Sequence, residues 1–182
     1  MSFRGIVLYT SRALAVALPA AAVLYSLRRL RLRRRGITPR RQREMLVLAC
    51  YLYLLSLISI TVIRDGEHLL DWWKHPHTAE SVQLIPITVT LLQGRAGAWY
   101  LIYPIAGNIL WFLPLGVFWA LLRREVPWWQ VGLGSLLLSV SIEIAQWILL
   151  VGVSDIDDVI FNGIGGLLGF VVTRLLQKRH RC

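Results

Sequence analysis

The residues of this sequence that could do chemistry lie in apolar surroundings, where they are costly to keep. Glu143 sits inside the apolar run 128–150, accompanied by Ser135, Ser139 and Gln146. At 100° per residue these four fall within roughly an 80° arc of one helix, with Gly132 beside them. Downstream, Asp155, Asp158, Asn162, Gly166, Gly169 and Thr173 share one narrow helical face. Asn108 is a polar position in a third apolar run. Carboxylates and amides gathered in this way can exchange a proton, ligate a cation or bind a polar head group. An ionised carboxylate in lipid costs on the order of 3 kcal/mol or more unless partnered or hydrated, so Glu143 is a functional-site candidate by default. The sequence assigns it no Lys or Arg partner, which leaves the protonated acid as its other form.

Such positions require helices that cross a membrane. Of 182 residues, 56% are AVILMFWYC and 16% are charged. A soluble domain carries about 45–50% apolar and about 25% charged residues. The excess collects in runs long enough to cross a ~30 Å hydrocarbon core at ~1.5 Å per residue. This excludes a soluble enzyme, a disordered tail and a disulfide-stapled secreted domain. The runs are continuous and Leu-rich, so helices are expected and not a barrel. The expected fold is all-α, a polytopic transmembrane helical bundle forming one membrane domain over 1–182. Five spans are predicted, near 5–27, 45–63, 99 or 104 to 122, 128–150 and 159–176. Pro114 should kink the third, and Arg12 and Arg174 should snorkel or line the bundle.

Charge sets the expected orientation. The net charge is +10, and nine arginines lie between Arg28 and Arg43, beside the first span. With the loop 28–43 placed inside, fifteen Lys and Arg fall inside and four outside: Arg4, Arg64, Lys74 and Arg95. The N-terminus is therefore predicted outside and the C-terminus inside. The acids Asp65, Glu67, Asp71, Glu80, Asp155, Asp157 and Asp158 then fall on the outer side. The Arg-rich cytoplasmic loop is expected to anchor topology and attract anionic lipid, and not to read nucleic acid. The first span is expected to stay uncleaved, because cleavage after Ala20-Ala21-Ala22 would deliver nine arginines to the outer face. In the outer loop 64–98, His68, His75 and His77 are expected as surface residues. The apolar stretch 82–92, interrupted by Pro86, is predicted as an outer-leaflet re-entrant or interfacial segment. Trp72, Trp73, Trp99 and Tyr100 would mark the outer aromatic belt, and Trp128 and Trp129 the inner one. Cys50 and Cys182 form no disulfide framework or CxxC site.

Depth unites the polar residues. Glu143 lies ~10 Å below the outer end of its span, Asn162 ~6 Å below the end of its own, and Asn108 also ~6 Å deep if its helix starts at Pro104. A pocket open to the outside is expected to gather Asn108, Ser139, Glu143, Gln146, Asp155, Asp158 and Asn162. Two readings of Asn108, Gln146 and Asn162 stand side by side: ligand contacts, or interhelical hydrogen bonds of on the order of 1 kcal/mol each. At least one of Asp155, Asp157 and Asp158 is expected to be only a helix cap, Asp157 first, because it points away from the polar face. Gly163, Gly165, Gly166 and Gly169 are read as close-packing positions. No metal or cofactor is expected; Glu143, Asp155 and Asp158 would be the ligands if a divalent cation bound.

Three blocks carry a family resemblance: Asn108-Ile109-Leu110-Trp111-Phe112-Leu113-Pro114-Leu115-Gly116, then Ser141-Ile142-Glu143-Ile144-Ala145-Gln146, then Asp155 through Gly169. In order and spacing they resemble the VanZ-like membrane protein family. Gln83-Leu84-Ile85-Pro86-Ile87 is similar to the family's upstream Asn-Leu-x-Pro-Phe element in altered form. Gln83 replaces the usual Asn, Ile87 the common Phe and Gly163 the common Thr. The resemblance covers about 81–176, leaving 1–80 as two N-terminal spans, the Arg-rich loop and the outer loop. It implies a bacterial cytoplasmic membrane protein whose namesake is associated with low-level teicoplanin resistance, and it implies no particular reaction.

Three functions compete. The first is a non-enzymatic envelope protein whose outward pocket binds a lipid-linked precursor, a glycopeptide or another amphiphile. The second is an intramembrane enzyme using Glu143 with Asp155 or Asp158 on a lipid phosphate. The third is a small proton-coupled transporter. No basic phosphate clamp lies on the outer side, no Ser/His/Asp set lies in the spans, and no internal repeat is present, so the first reading leads.

Overall fold

Ala, Leu and Arg, all strong helix formers, make up most of residues 11–34, so the first helix has no reason to stop at the lipid boundary. In a computed structural model of the protein, describing residues 3–62, 82–85, 97–123, 125–151 and 153–179, helix α1 runs over Phe3–Arg34. The chain divides into two compact units, Met1–Gly66 and Glu67–Cys182.

The first unit is a helical hairpin of α1 and α2, the latter Arg41–Val62. Ala13, Ala17 and Ala21 recur once per turn and are buried, a spacing of small residues that lets helix backbones approach. The segment expected as an Arg-rich loop is largely helical. Arg28 to Arg34 extend α1, which ends where Gly36 takes φ 66 and Ile37 N–H bonds the Leu32 carbonyl at 3.0 Å. Pro39 then bars continuation, and α2 begins two residues later. The Arg28 guanidinium donates to Glu44 Oε1 at 2.8 Å, and Glu44 is only 4% exposed. This clip was not anticipated from a run of arginines. Arg12 is exposed on α1.

The second unit holds β1 (Val82–Gln83), α3 (Ala98–Leu122), α4 (Trp128–Leu149), β2 (Ser154–Asp155) and α5 (Ile156–Arg179). Gly97 begins α3 at φ 139, a conformation that side chains rarely permit. α3 continues as one helix through Pro104 and Pro114. α4 ends on Leu150 in the left-handed region, φ 55, which costs a residue with a Cβ roughly 1–2 kcal/mol. Val151 N–H returns to the Gln146 carbonyl at 3.0 Å and closes that turn. The extended link β2 leaves backbone groups to satisfy, and β1 satisfies them in parallel register, Val82 with Ser154 and Gln83 with Asp155. The small strand pair therefore takes up residues expected only as an interfacial segment. Leu84 and Ile85 follow it, 72% and 71% exposed, while 86–92 lie outside the described residues.

Helix–helix packing in this unit centres on α5. A Cβ on Gly165 or Gly169 would fall on the carbonyl of Ile109 or Leu113 in α3, and one on Gly116 would fall on the Gly166 carbonyl. Glycine is what permits this backbone contact. A small apolar cluster of Ala120, Val126, Val131 and Phe170, with Trp119 against it, closes the opposite end of the unit from Asp155. There Arg174 donates to the Arg123 carbonyl at 2.8 Å, and its guanidinium lies over the Phe170 ring at 5.2 Å.

Among the described residues, five helices are long and apolar enough to cross a membrane. Only 11–39% of each apolar window is buried within the protein, so most of that surface is left for lipid. The chain is a multi-pass membrane protein. Trp99, Trp128 and Trp129 are exposed near helix ends. Trp72, Trp73, His68, His75, His77 and Cys182 lie outside the described residues.

Candidate ligand site at Glu143

An antiparallel helix pair repeats its contacts every four residues, and α4 and α5 do so in three steps. Gly166 lies against Ser135, where a Cβ would strike the Ser135 side chain. One turn outward, Asn162 Nδ2 donates to Ser139 Oγ at 2.8 Å, with Ser139 fully buried. One turn further out, the same register sets Asp158 opposite Glu143. The charges of Asp158 and Asp155 are both close enough to act on Glu143. The two polar stripes thus meet, as the sequence pattern predicted. Ser135 and Thr173 hydroxyls instead bond carbonyls of their own helices, at 2.9 and 2.7 Å.

Glu143 is 8% exposed. Its Oε2 accepts the Asp155 backbone N–H at 3.0 Å, and its own carbonyl accepts the Ser154 hydroxyl at 2.8 Å. The turn after α4 thereby folds β2 back onto the acid. Asp158 turns one oxygen toward α3, where Asn108 Nδ2 donates to it. Asn108, Glu143 and Asp158 come from three helices, with Asn108 ten residues into α3. Gln146 is half-buried on α4.

The capping expectation needs correction. Asp155, not Asp157, caps α5: its Oδ1 accepts the Asp157 N–H at 2.9 Å. Asp157 is buried, 3% exposed, although the helical wheel turned it away from the polar face. The β1–β2 pairing explains the difference, because it fixes Asp155 at the first position before the helix. Burial pushes the Asp155 carboxyl above the usual carboxylate range, and the Asp157 charge adds to this, against the capping hydrogen bond that lowers it.

Beside Glu143 opens a cavity of about 240 Å³. Glu143, Ser154 and Asp155 form its polar side, and Val82, Val140, Ile144, Trp147 and Val159 line much of the rest. Of the seven residues expected in one pocket only Glu143 and Asp155 line it; Gln146 does not, and Asn108, Ser139, Asp158 and Asn162 lie in the helix contacts. Two amide oxygens, Gln83 Oε1 and Asn162 Oδ1, are buried without a hydrogen-bond partner. Among the described residues no three His, Cys, Asp or Glu side chains gather in a metal-binding group. A pair of carboxylates at a divalent cation would have to be completed by amide oxygens or water. What the cavity presents is hydrogen-bond acceptors at one end and hydrocarbon along its length. The contributions of Gly116, Ser154 and the Asp155 N–H were not foreseen; a glycine two residues past Pro114, in the polar-flanked third run, was the available signal for the first.

The sequence pattern of VanZ/LLP1 matches residues 50–177. The chain belongs to the VanZ/LLP1 family. It is also similar to Protein VanZ of Enterococcus faecium, 29% identical over 127 residues, which covers 70% of this chain and 72% of that protein. No solved structure matches the chain. The VanZ/LLP1 match begins within α2 and takes in all of β1, α3, α4, β2 and α5. Asn108, Glu143, Asp155, Asp158 and Asn162 all fall within it.

Proposed function

We propose that this chain works at the outer face of a bacterial cytoplasmic membrane, where it binds a lipid-linked or amphiphilic ligand. Its service is to the cell envelope, including low-level resistance to a teicoplanin-type glycopeptide. The carrying observation is the cavity of about 240 Å³ with Glu143 and Asp155 at its polar side and apolar residues along the rest. That division matches a molecule with one polar and one greasy end. Kinship with Protein VanZ supports the envelope role. Ligand binding accounts for the arrangement without a bond-making step.

The test is native mass spectrometry of the protein taken from bacterial membranes in lipid nanodiscs, beside Glu143→Gln and Ile144→Trp. A retained amphiphile, lost from both variants at normal protein yield, is the expected result. Identical bulk phospholipid on all three proteins would refute the reading. In cells, expression should raise the inhibitory concentration of teicoplanin, and Glu143→Gln should cancel the rise.

A further inference from the structure

The cavity at Glu143 is not isolated. A second hollow, of about 210 Å³, lies deeper between the same two helices. On α4 the apolar residues along the first and second hollows are Ile144, Val140 and Leu136, one turn apart; on α5 they are met by Val159, Gly163 and Leu167. The two stripes run antiparallel in a single register, so the hollows are successive parts of one groove. From Trp147 to Gly132 the groove extends about 22 Å at ~1.5 Å per residue. That is more than half of a ~30 Å hydrocarbon core and on the order of one extended acyl chain. At its deep end Leu136 packs on Gly163 and Leu167 on Gly132, so the groove runs past these contacts along the exposed Ile164.

Chemistry at the mouth specifies the head group. Glu143 and Asp155 each commit one oxygen to a backbone N–H and retain acceptor capacity. Among the described residues the polar lining is these two carboxyls and the Ser154 hydroxyl, whose proton is already given to the Glu143 carbonyl, so what the mouth offers is acceptors. The described Lys and Arg of this unit, Arg123, Arg174, Lys178 and Arg179, lie at the far end of its helices. A phosphate brought to this mouth would meet carboxylates and no cation among the described residues. A primary ammonium brings positive charge and N–H donors to groups that need both.

We infer that the α4–α5 groove holds an outer-leaflet amphiphile with a primary ammonium head at Glu143 and Asp155 and a single acyl tail along Val140, Leu136 and Ile164. This rests on the proposed amphiphile binding and names its ligand class. The protein in phosphatidylcholine nanodiscs is titrated with a long-chain alkylamine carrying a fluorophore at its tail, and separately with the matching alkyl phosphate. The wild type should prefer the amine by about tenfold or more. Glu143→Gln and Asp155→Asn should each shrink that preference several-fold; Asn retains the helix cap. Ile164→Trp, which crowds the deep groove from an exposed position, should weaken both probes alike. Equal affinity of the wild type for amine and phosphate would overturn the ammonium assignment and leave amphiphile binding standing. No binding of either probe to the wild type would overturn both.

Discussion

Glu143→Gln keeps the shape and hydrogen bonding of the site and removes its charge, so it separates chemistry from packing. If Glu143 only joined helices, Gln would be tolerated or stabilising, because burying a charge is costly. The expected outcome is loss of resistance or of envelope-stress protection at unchanged membrane abundance. Asp158→Asn and Asn162→Ala should lose the same activity, and combining either with Glu143→Gln should add nothing, since the three occupy two adjacent steps of one contact. Full activity of Glu143→Gln would return the residue to a packing role. Asp155 supplies a second residue-scale prediction. Its carboxyl titrates above the usual range when folded, so the folded state holds that proton more tightly than the unfolded chain. The resulting stability is fully present below about pH 4, the ordinary carboxylate value, and is lost as pH rises through the raised value. Asp155→Asn keeps the cap and does not titrate. Melting curves from pH 4 to 7 should show wild type losing ground to this variant as pH rises; a constant difference would contradict the assignment.

At the scale of elements, α3 and α5 are in backbone contact, and the glycines there are not equivalent. Gly169→Ala and Gly116→Ala drive a Cβ into a carbonyl oxygen, which cannot yield as a side chain can. Each should cost about 1–3 kcal/mol or more in detergent or nanodisc unfolding. Gly107 has nothing within 4 Å of its position for a Cβ. Gly107→Ala should therefore be neutral or stabilise by about 0.5–1 kcal/mol through helix propensity. A matching loss at Gly107 would show that the glycines act through propensity and not contact. In the hairpin of α1 and α2, removing Arg28 strands the buried Glu44. Arg28→Ala should thus destabilise more than the double change Arg28→Met with Glu44→Leu, which removes both charges together.

The whole chain is expected to sit with its N-terminus outside. Single cysteines at positions 70, 154 and 38, in a background of Cys50→Ser and Cys182→Ser, are to be probed in intact cells with an impermeant thiol reagent. Labelling at 70 and 154 with protection at 38 is expected from the excess of Lys and Arg on one side. Labelling at 38 would reverse the orientation. The nine arginines between Arg28 and Arg43 should also draw anionic lipid, each contributing about 1 kcal/mol near the surface and less as salt rises. Enrichment of phosphatidylglycerol around the protein that vanishes on replacing several of these arginines by Gln would establish this.

Lipid made much of this protein legible from residues alone. A hydrocarbon core of fixed thickness demands long apolar helices, and no other arrangement of these runs satisfies their backbone groups. The same cost makes Glu143, Asp158 and Asn162 conspicuous, and four-residue spacing foretold that Ser139 and Glu143 share one helix face and Asp158 and Asn162 another. Partnership was harder to read. Spacing along one helix does not say which neighbour a face meets, so Gly165 and Gly169 gave no sign that they lie on α3 while Gly166 lies on α4. The cap on α5 went to Asp155 because β1 pairs with β2, a contact across some seventy residues that no local pattern encodes. Nothing in the run of arginines marked Arg28 as the partner of Glu44, which the closed hairpin removes from water. Local periodicity records how each segment divides between lipid and protein; only three-dimensional packing chooses the partner, because that choice depends on which faces meet across distant parts of the chain.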